Sequence, residues 1–506
     1  MPFARLKTRV TLCFSSSVAG VTKTVLESKA GRATSLLAAP TGTKPDEPPG
    51  SGWQSGVKRS LAGVARLRLA PPGVNECLRQ GFVGFPMLRM KLRVFVLRLF
   101  ATLSTFSLAC AADSTGQFGQ LKNLREFGVT PTNSAAANKT ALQQAIDWAA
   151  PRGAALFLEP SDEPYPVDGG LVLRMNVSLI GVHGPVGRGT RHPAKPQPVG
   201  SVFRITDTTN VFLTVESATQ VRGLQFWYPD QTIDDPAKLI RYRATIQVSQ
   251  TRAAQGVTLS CLTFYGEWLA MDFNSKPPHI CEQILFEHCY GYPLGGEFIR
   301  IDYCYDIPRV LHCHVNPSNQ RFIRGGYGKS VIDAVVAQKT FTYAINHTDN
   351  AVLMDVFTFG VHGGVYLGPA TYGQLTQFNL DCVTVGIHKL GDGTFNRNWQ
   401  IAQGSIIANT GPRVEDVHPI IIEGQGHTAL ANVECFSGGN GALTTLNQAQ
   451  DFLLVRGDQK LTVSLVGCRM RNYVADSPLT LLNPKALVQA VACVDKHEEP
   501  WSWPAK

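Results

Sequence analysis

The chain predicts an all-β solenoid, a parallel β-helix closed at its N-terminal end by a short capping helix. Three observations predict it. An apolar-x-apolar phrase followed by a cysteine or small residue recurs at spacings of 23 to 33 residues, with one wide gap of 43. Gly, Asn and Pro separate the short alternating runs between these phrases, and one amphipathic helix stands before the first of them. Periods in this range mark stacked repeats, and short alternating strands make each unit β rather than helical.

The N-terminal fifth of the chain is set apart by charge. The whole sequence carries +9, but residues 1–111 hold 16 Lys+Arg against 4 Asp+Glu, which leaves 31 basic and 34 acidic residues downstream. The rest is slightly acidic, so a nucleic-acid partner argued from overall basicity has no footing. At 87–112, "MLRMKLRVFVLRLFATLSTFSLACAA", a cationic start (Arg89, Lys91, Arg93) runs into an apolar stretch ending in small residues. That is the build of a secretory signal peptide at 87–111, with Ala109-Cys110-Ala111 as cleavage site. Arg98 breaks the run below the ~20 apolar residues of a membrane span. Ser107 stands where a lipid-anchor site wants a Leu, so a lipoprotein is the lesser alternative. Translation from Met87 or Met90 and export to the periplasm or medium are expected, with 1–86 either a disordered leader or an over-extended gene model.

Residues 112–175 read as the cap. In "TALQQAIDWAAPRG", Leu142, Ile146 and Ala149 share one helical face, and Pro151 with Gly153 ends the helix. Such a helix plugs the first coil, since the end of a solenoid must be covered.

Residues 176–495 read as the coils and 496–506 as a tail. The recurring phrases "VTLSC", "ILFEHC", "RVLHC", "VLMDV", "FNLDC", "IAQGS", "ANVEC", "SLVGC" and "QAVAC" align Cys261, Cys289, Cys313, Val356, Cys382, Ser405, Cys435, Cys468 and Cys493. The 43-residue gap between Cys313 and Val356 marks another turn or an insertion around 329–347. Coils of three short strands fit these lengths better than a propeller blade of ~40–45 residues. The cysteines then form one internal ladder, with Cys281 and Cys304 off it. Stacking at ~4.8 Å exceeds the ~3.8 Å Cβ separation of a disulfide, so most thiols are expected free, buried and inert. The nine cysteines after residue 112 are an odd number, which also argues against complete pairing. "HCH" at 312–314 sends neighbouring side chains to opposite faces and makes no zinc site.

"DVFTFGVH" (355–362) and "DCVTVGIH" (381–388) repeat Asp, Thr, Gly and His at the same offsets, 26 residues apart. The repeat reading places Asp355 and Asp381 at one position of successive coils, followed at the next turn by His362 and His388. Repetition alone produces such offsets, without chemistry.

The order of a "REFG" strand, a "TALQQAIDWA" helix, an "AALFLEP…YPV" pair and "NVSLIGVHG" resembles the start of the pectate-lyase-like superfamily of right-handed parallel β-helices, and the coils at 177–495 extend the resemblance over most of the chain. Phe127-Gly128, Thr140-Ala141 and Gly181 match that pattern, while "TPTNSAAANKT" replaces the usual GDG…DDT acidic loop. The resemblance implies a right-handed parallel β-helix and a secreted, carbohydrate-active protein. The superfamily also holds esterases and non-enzymatic spikes, so fold does not by itself name chemistry.

In proteins of this resemblance substrate lies along one sheet, here "WLAMDF" (268–273), "FIRIDY" (298–303), "RFIRGG" (321–326), "GVYLG" (364–368) and "IHKLGD" (387–392). Aligning them stacks Asp272 on Asp302 and Arg300 on Arg324, the catalytic candidates. Tyr366, His362, His388 and Lys389 are the substrate-binding candidates. A solvated salt-bridge ladder is the competing reading of the same face. Hydrolysis would use Asp272 and Asp302, whose separation sets retention or inversion. Elimination would use Arg300, Arg324 or Lys389 as base near a uronate C5 proton, with calcium on Asp272 and Asp302 as an optional cofactor. The NTD, DD, GHG and RIK set of polygalacturonase-type hydrolases is not present in order, and no Gly-rich phosphate loop opens a helix. The expectation is a secreted β-helix cleaving a polysaccharide as a lyase or glycoside hydrolase. A non-catalytic surface or glycan-binding β-helix is the alternative.

Overall fold

The computed structural model describes residues 120–182, 192–320, 326–391, 398–435 and 448–503. Its strands stack coil on coil in parallel register. One face is an eleven-stranded sheet of β1 (Leu171–Leu173), β2 (Leu213–Val215), β3 (Ile246–Val248), β4 (Met271–Asn274), β5 (Ile299–Asp302) and β6 (Phe341–Ile345), continued by β7 (Gly363–Leu367), β8 (Val385–Leu390), β9 (His418–Glu423), β10 (Leu453–Val455) and β11 (Leu479–Leu481). The two remaining faces merge into one 26-stranded sheet. In the coil carrying Thr258–Ser260 and Thr263–Tyr265, the single sharp residue between those faces is Cys261, at φ 54°. The fold is therefore the right-handed parallel β-helix expected from the sequence, with three strands per coil.

That sharp corner recurs at Cys261, His288, His312, Asp355, Gln377, Gln403, Asn432, Gly467 and Ala492, all with φ between 52° and 65°. A left-handed residue lets the chain turn between faces in one step, at a conformational cost of about 1–2 kcal/mol for a residue bearing a Cβ. Inside the coils, like residues stack. Phe203, Phe226 and Phe264 are register partners on successive strands, and the last two rings lie 5.1 Å apart and nearly parallel. Such pairs add about 0.5–1.5 kcal/mol beyond area burial.

Helix α1 (Ala135–Ala149) opens with the Ser134 hydroxyl accepting from the Ala137 N–H and buries Asn138, Leu142, Ala145, Ile146 and Ala149. It packs on the first coil, against strands Ala155–Phe157, Tyr165–Pro166 and β1. Buried Asn138 closes the contact, donating to the Thr130 and Pro166 carbonyls and accepting from the Thr130 N–H. Gly153, at φ 55°, follows the helix end. At the other end, Pro500–Trp503 runs antiparallel to Leu487–Val494, and Trp501 and Trp503 pack against the core.

Two expectations about register are corrected. The 26-residue echo is not the coil period at that place: Met354 pairs with Thr376 and Tyr366 with His388, a spacing of 22. Asp355 sits in a sharp corner, whereas Asp381 stands opposite Phe359 on the strand after it. The repeated words are thus four residues out of step.

The single sulfur ladder also divides. Cys281 and Cys304, set aside as off-column, are direct register partners. Cys261 and Cys382 occupy left-handed corners, and Cys435 stacks between Ile406 and Met470 on another face. Of the proposed column, Cys289, Cys313 and Val356 remain in register with one another, as do Cys468 and Cys493. All nine thiols are free, and eight are buried. The column is otherwise filled by residues chosen for space: a Cβ on Gly404 would lie 2.3 Å from the Phe378 ring.

The wide gap is an insertion. Between Leu311 and its register partner Met354 the chain builds helix α2 (Lys329–Val336) and then β6.

Candidate functional site

Outward positions of the eleven-stranded face run in register as Gln247, Asp272, Arg300, Ala344, Tyr366, His388, Ile421 and Leu454. The first three are polar and charged, the last two apolar. Tyr366 and His388 stand at the junction.

Over that junction lies a cleft of about 670 Å³. Its apolar floor includes Phe341, Val385 and Ile421, which pack together on the outside of the sheet. Its walls come from α2 and the turn after it (Asp333, Lys339), the turn before β9 (Thr410, Gly411, Pro412, Asp416), and Arg456 at the end of β10. The α2 insertion therefore makes a groove out of an otherwise open sheet.

His388 projects into the cleft from β8. Its Nε2 lies 2.6 Å from Glu423 Oε1, reached diagonally across to β9. Arg456 donates to the same carboxylate through Nε at 2.7 Å and Nη2 at 3.2 Å. The hydrogen bond from His388, helped by Arg456 and opposed by partial burial, holds the Glu423 carboxyl down at about 2. An ionised carboxylate only accepts. Nε2 therefore carries the His388 proton, and in the neutral ring Nδ1 is the bare, basic nitrogen. The Tyr366 ring meets His388 edge-on at 5.4 Å and leans on Phe341 at 5.5 Å. Burial, then the Glu423 charge, raises the Tyr366 phenol above its ordinary value, which keeps its proton on.

His362 enters the same cleft just before β7, its ring 5.9 Å from Phe341. Burial first, then the charges of Lys339 and His388, pushes its imidazole down to about 4. It is a neutral ring near pH 7. Lys339 makes no ion pair among the described residues and supplies positive charge at the rim.

The other predicted residues lie elsewhere. Asp272 is stacked on Arg300, not on Asp302, whose partner is Asn274. Alignment by local wording was two residues out. The next coil sets Ala344 on Arg300, while Arg324 lies outside the described residues. Asp272 and Arg300 share a separate cavity, with Asp272 Oδ2 3.7 Å from the guanidinium. Asp302 instead bonds the His347 Nδ1 at 2.8 Å. These two carboxylates are therefore not directly stacked, and each is already engaged by a partner. They also fit calcium poorly, each being turned to a cationic or ring-nitrogen partner. Lys389 is a further correction. It neighbours His388 in sequence, so it points inward; it is 1 % exposed and donates to the Gln425 carbonyl. Side chains on a strand alternate faces.

Glu423, Arg456, Lys339 and Phe341 escaped sequence reasoning. The 43-residue gap was the signal for the last two. Nothing local marked Glu423, which matters only because β9 lies beside β8.

The described residues thus form a parallel β-helix with a histidine-centred outward cleft. No protein-family model matches the chain, and no curated protein matches it in sequence. Among solved structures, the pre-mature bacteriophage phi29 gene product 12 aligns over 78% of this chain and 54% of its own, at 12% identity and a TM-score of 0.49. This chain thus spans about half the length of that one. DFA-IIIase from Arthrobacter chlorophenolicus A6 aligns over 74% and 94%, at 10% identity and a TM-score of 0.43. The A-module of an Azotobacter vinelandii mannuronan C-5 epimerase aligns over 74% and 98%, at 12% and 0.37. These likenesses carry no argument about chemistry, and the fold rests on the strand register above.

Proposed function

We propose that this chain is an exported, carbohydrate-active member of the pectate-lyase-like β-helices that cleaves an acidic polysaccharide by β-elimination in the His388 cleft. The observation that carries the reading is the Glu423–His388–Tyr366 arrangement: a base oriented by a carboxylate, beside a protonated phenol, on the floor of a groove with cations at its rim. His388 Nδ1 takes the C5 proton of a bound uronate. The electrons of that C–H bond form the C4–C5 double bond, the C4–O bond breaks, and the departing oxygen takes the proton of Tyr366. Lys339 and Arg456 face the uronate carboxylate and stabilise charge as C5 is deprotonated. Phe341 and Ile421 give the sugar ring an apolar floor. Hydrolysis is less favoured because Glu423, the carboxylate nearest His388, is committed to His388 and Arg456.

The test is to incubate the purified protein with uronate polymers and follow the absorbance of an unsaturated product, together with the His388→Ala and Tyr366→Phe variants. Absorbance that both variants abolish supports elimination. Reducing ends without absorbance mean hydrolysis. Retained binding with neither product means a glycan-binding β-helix.

A further inference from the structure

A second cavity, of about 510 Å³, lies on the same face over β2 to β5. Thr209 and Asn210 enter it from the turn before β2, Arg241, Tyr242 and Arg243 from the segment before β3, and Trp268 from the turn before β4. Arg300 and Asp272 form part of its floor. It is separate from the His388 cleft, since β6 and β7 lie between Arg300 and His388, about 14 Å at ~4.8 Å per strand.

Its charges are unevenly matched. Arg300 is held by Glu297 and lies 3.7 Å from Asp272, and Asp272 also accepts from Gln247 Nε2 at 3.3 Å. Arg241 and Arg243 make no hydrogen bond or ion pair with a described residue; Arg241 stands over the Trp268 ring at 5.4 Å. Three guanidinium groups thus meet two carboxylates. A second observation is independent of charge. Tyr242 is 3 % exposed, and its hydroxyl has no hydrogen-bond partner among the described residues. A buried phenol without a partner carries an uncompensated desolvation cost, which a ligand oxygen within its reach would offset.

We propose that this cavity is a second, non-catalytic binding site for an anionic saccharide. Its carboxylate meets Arg241 and Arg243, its ring lies on Trp268, and a ring or carboxyl oxygen accepts from Tyr242. Guanidinium groups suit bidentate carboxylate recognition, and an aromatic face beside them suits a sugar ring better than a bare inorganic anion. The anion site follows from the cavity itself. Its assignment to a saccharide rests on the proposed function.

The test uses the full chain carrying His388→Ala, so that cleavage does not intrude, titrated calorimetrically with a galacturonate oligomer, its methyl ester and inorganic sulfate. The expected result is that the Arg241→Ala/Arg243→Ala pair weakens the acidic oligomer at least about tenfold, that Tyr242→Phe weakens it less, and that added salt erodes the affinity. Unchanged affinity in both variants overturns the site. Equal affinity for the methyl ester overturns the carboxylate recognition by Arg241 and Arg243, and sulfate bound as tightly as the oligomer overturns the saccharide assignment. Loss of oligomer binding in the arginine pair alongside a protein that releases no unsaturated product would sink the elimination reading while leaving this site standing.

Discussion

Glu423 on β9 accepts the Nε2 proton of His388 on β8 at 2.6 Å, and Arg456, just past the end of β10, holds that carboxylate as well. The three groups come from three successive coils. A base oriented in this way is the recurrent logic of activated side chains on unrelated folds. His388→Ala is expected to lower the rate of product formation by about 10²–10⁴-fold, the usual worth of general base catalysis. Glu423→Gln should fall in the same range with little change in KM, because the amide can donate to Nε2 and so favour the wrong tautomer. Steady-state kinetics with circular dichroism as a folding control separate this from simple unfolding.

Glu267 is fully buried, with no side-chain partner for its carboxyl among the described residues. Burial pushes its carboxyl up to about 8, the peptide N–H groups of Glu267 and Tyr292 offsetting only part of that. Burial first, and then the Glu267 charge, raises the phenols of Tyr228, Tyr265 and Tyr327. A folded-state value above the ordinary 4.5 means the contribution to stability is complete below pH 4.5 and lost as pH rises through about 8. Thermal midpoints are expected to fall across that window, and Glu267→Gln should flatten the fall. An unchanged slope in the variant would locate the loss in another group.

Eight of the nine described cysteines are buried, and only Cys261, at a coil corner, is partly open. Maleimide labelling of the native protein should therefore modify Cys261 fast and the other eight only after denaturation. Mass spectrometry without reductant should find all nine reactive once unfolded. Any two missing together would reveal a disulfide.

Ala492 is exposed and held at φ 55° in a coil corner where Gly467 stands one coil earlier. Glycine removes the Cβ clash of that conformation but adds entropy to the unfolded chain. The balance predicts that Ala492→Gly stabilises by about 0.5–1 kcal/mol, measured as a shift in denaturant midpoint at constant m. A loss of stability would mean that the Ala492 methyl makes contacts outweighing the strain.

The stacking of coils, the cap and the long eleven-stranded face were legible in sequence because each depends on local pattern. Apolar alternation marks a strand wherever it lies, and Leu142, Ile146 and Ala149 mark one helix face without reference to anything else. Four of the five segments assigned to the long face do carry its strands, β4, β5, β7 and β8. The fifth, 321–326, falls almost wholly outside the described residues, and β6 supplies that coil's strand from the far side of α2. Thiols misled because cysteine fills corner and interior positions alike; the fold stood without the ladder because Leu, Phe and Val carried the same period.

What the sequence by itself determined is the coil: its three strands, its approximate length, and the helix that covers its end. Only the tertiary structure decided which side chains meet across coils. Register between parallel strands is set by the length of every intervening turn, so one unequal turn shifts the pairing and an odd shift reverses the face. That is why Asp272 lies on Arg300 rather than Asp302, and why Glu423, unmarked in its own segment, is the residue that orients the histidine.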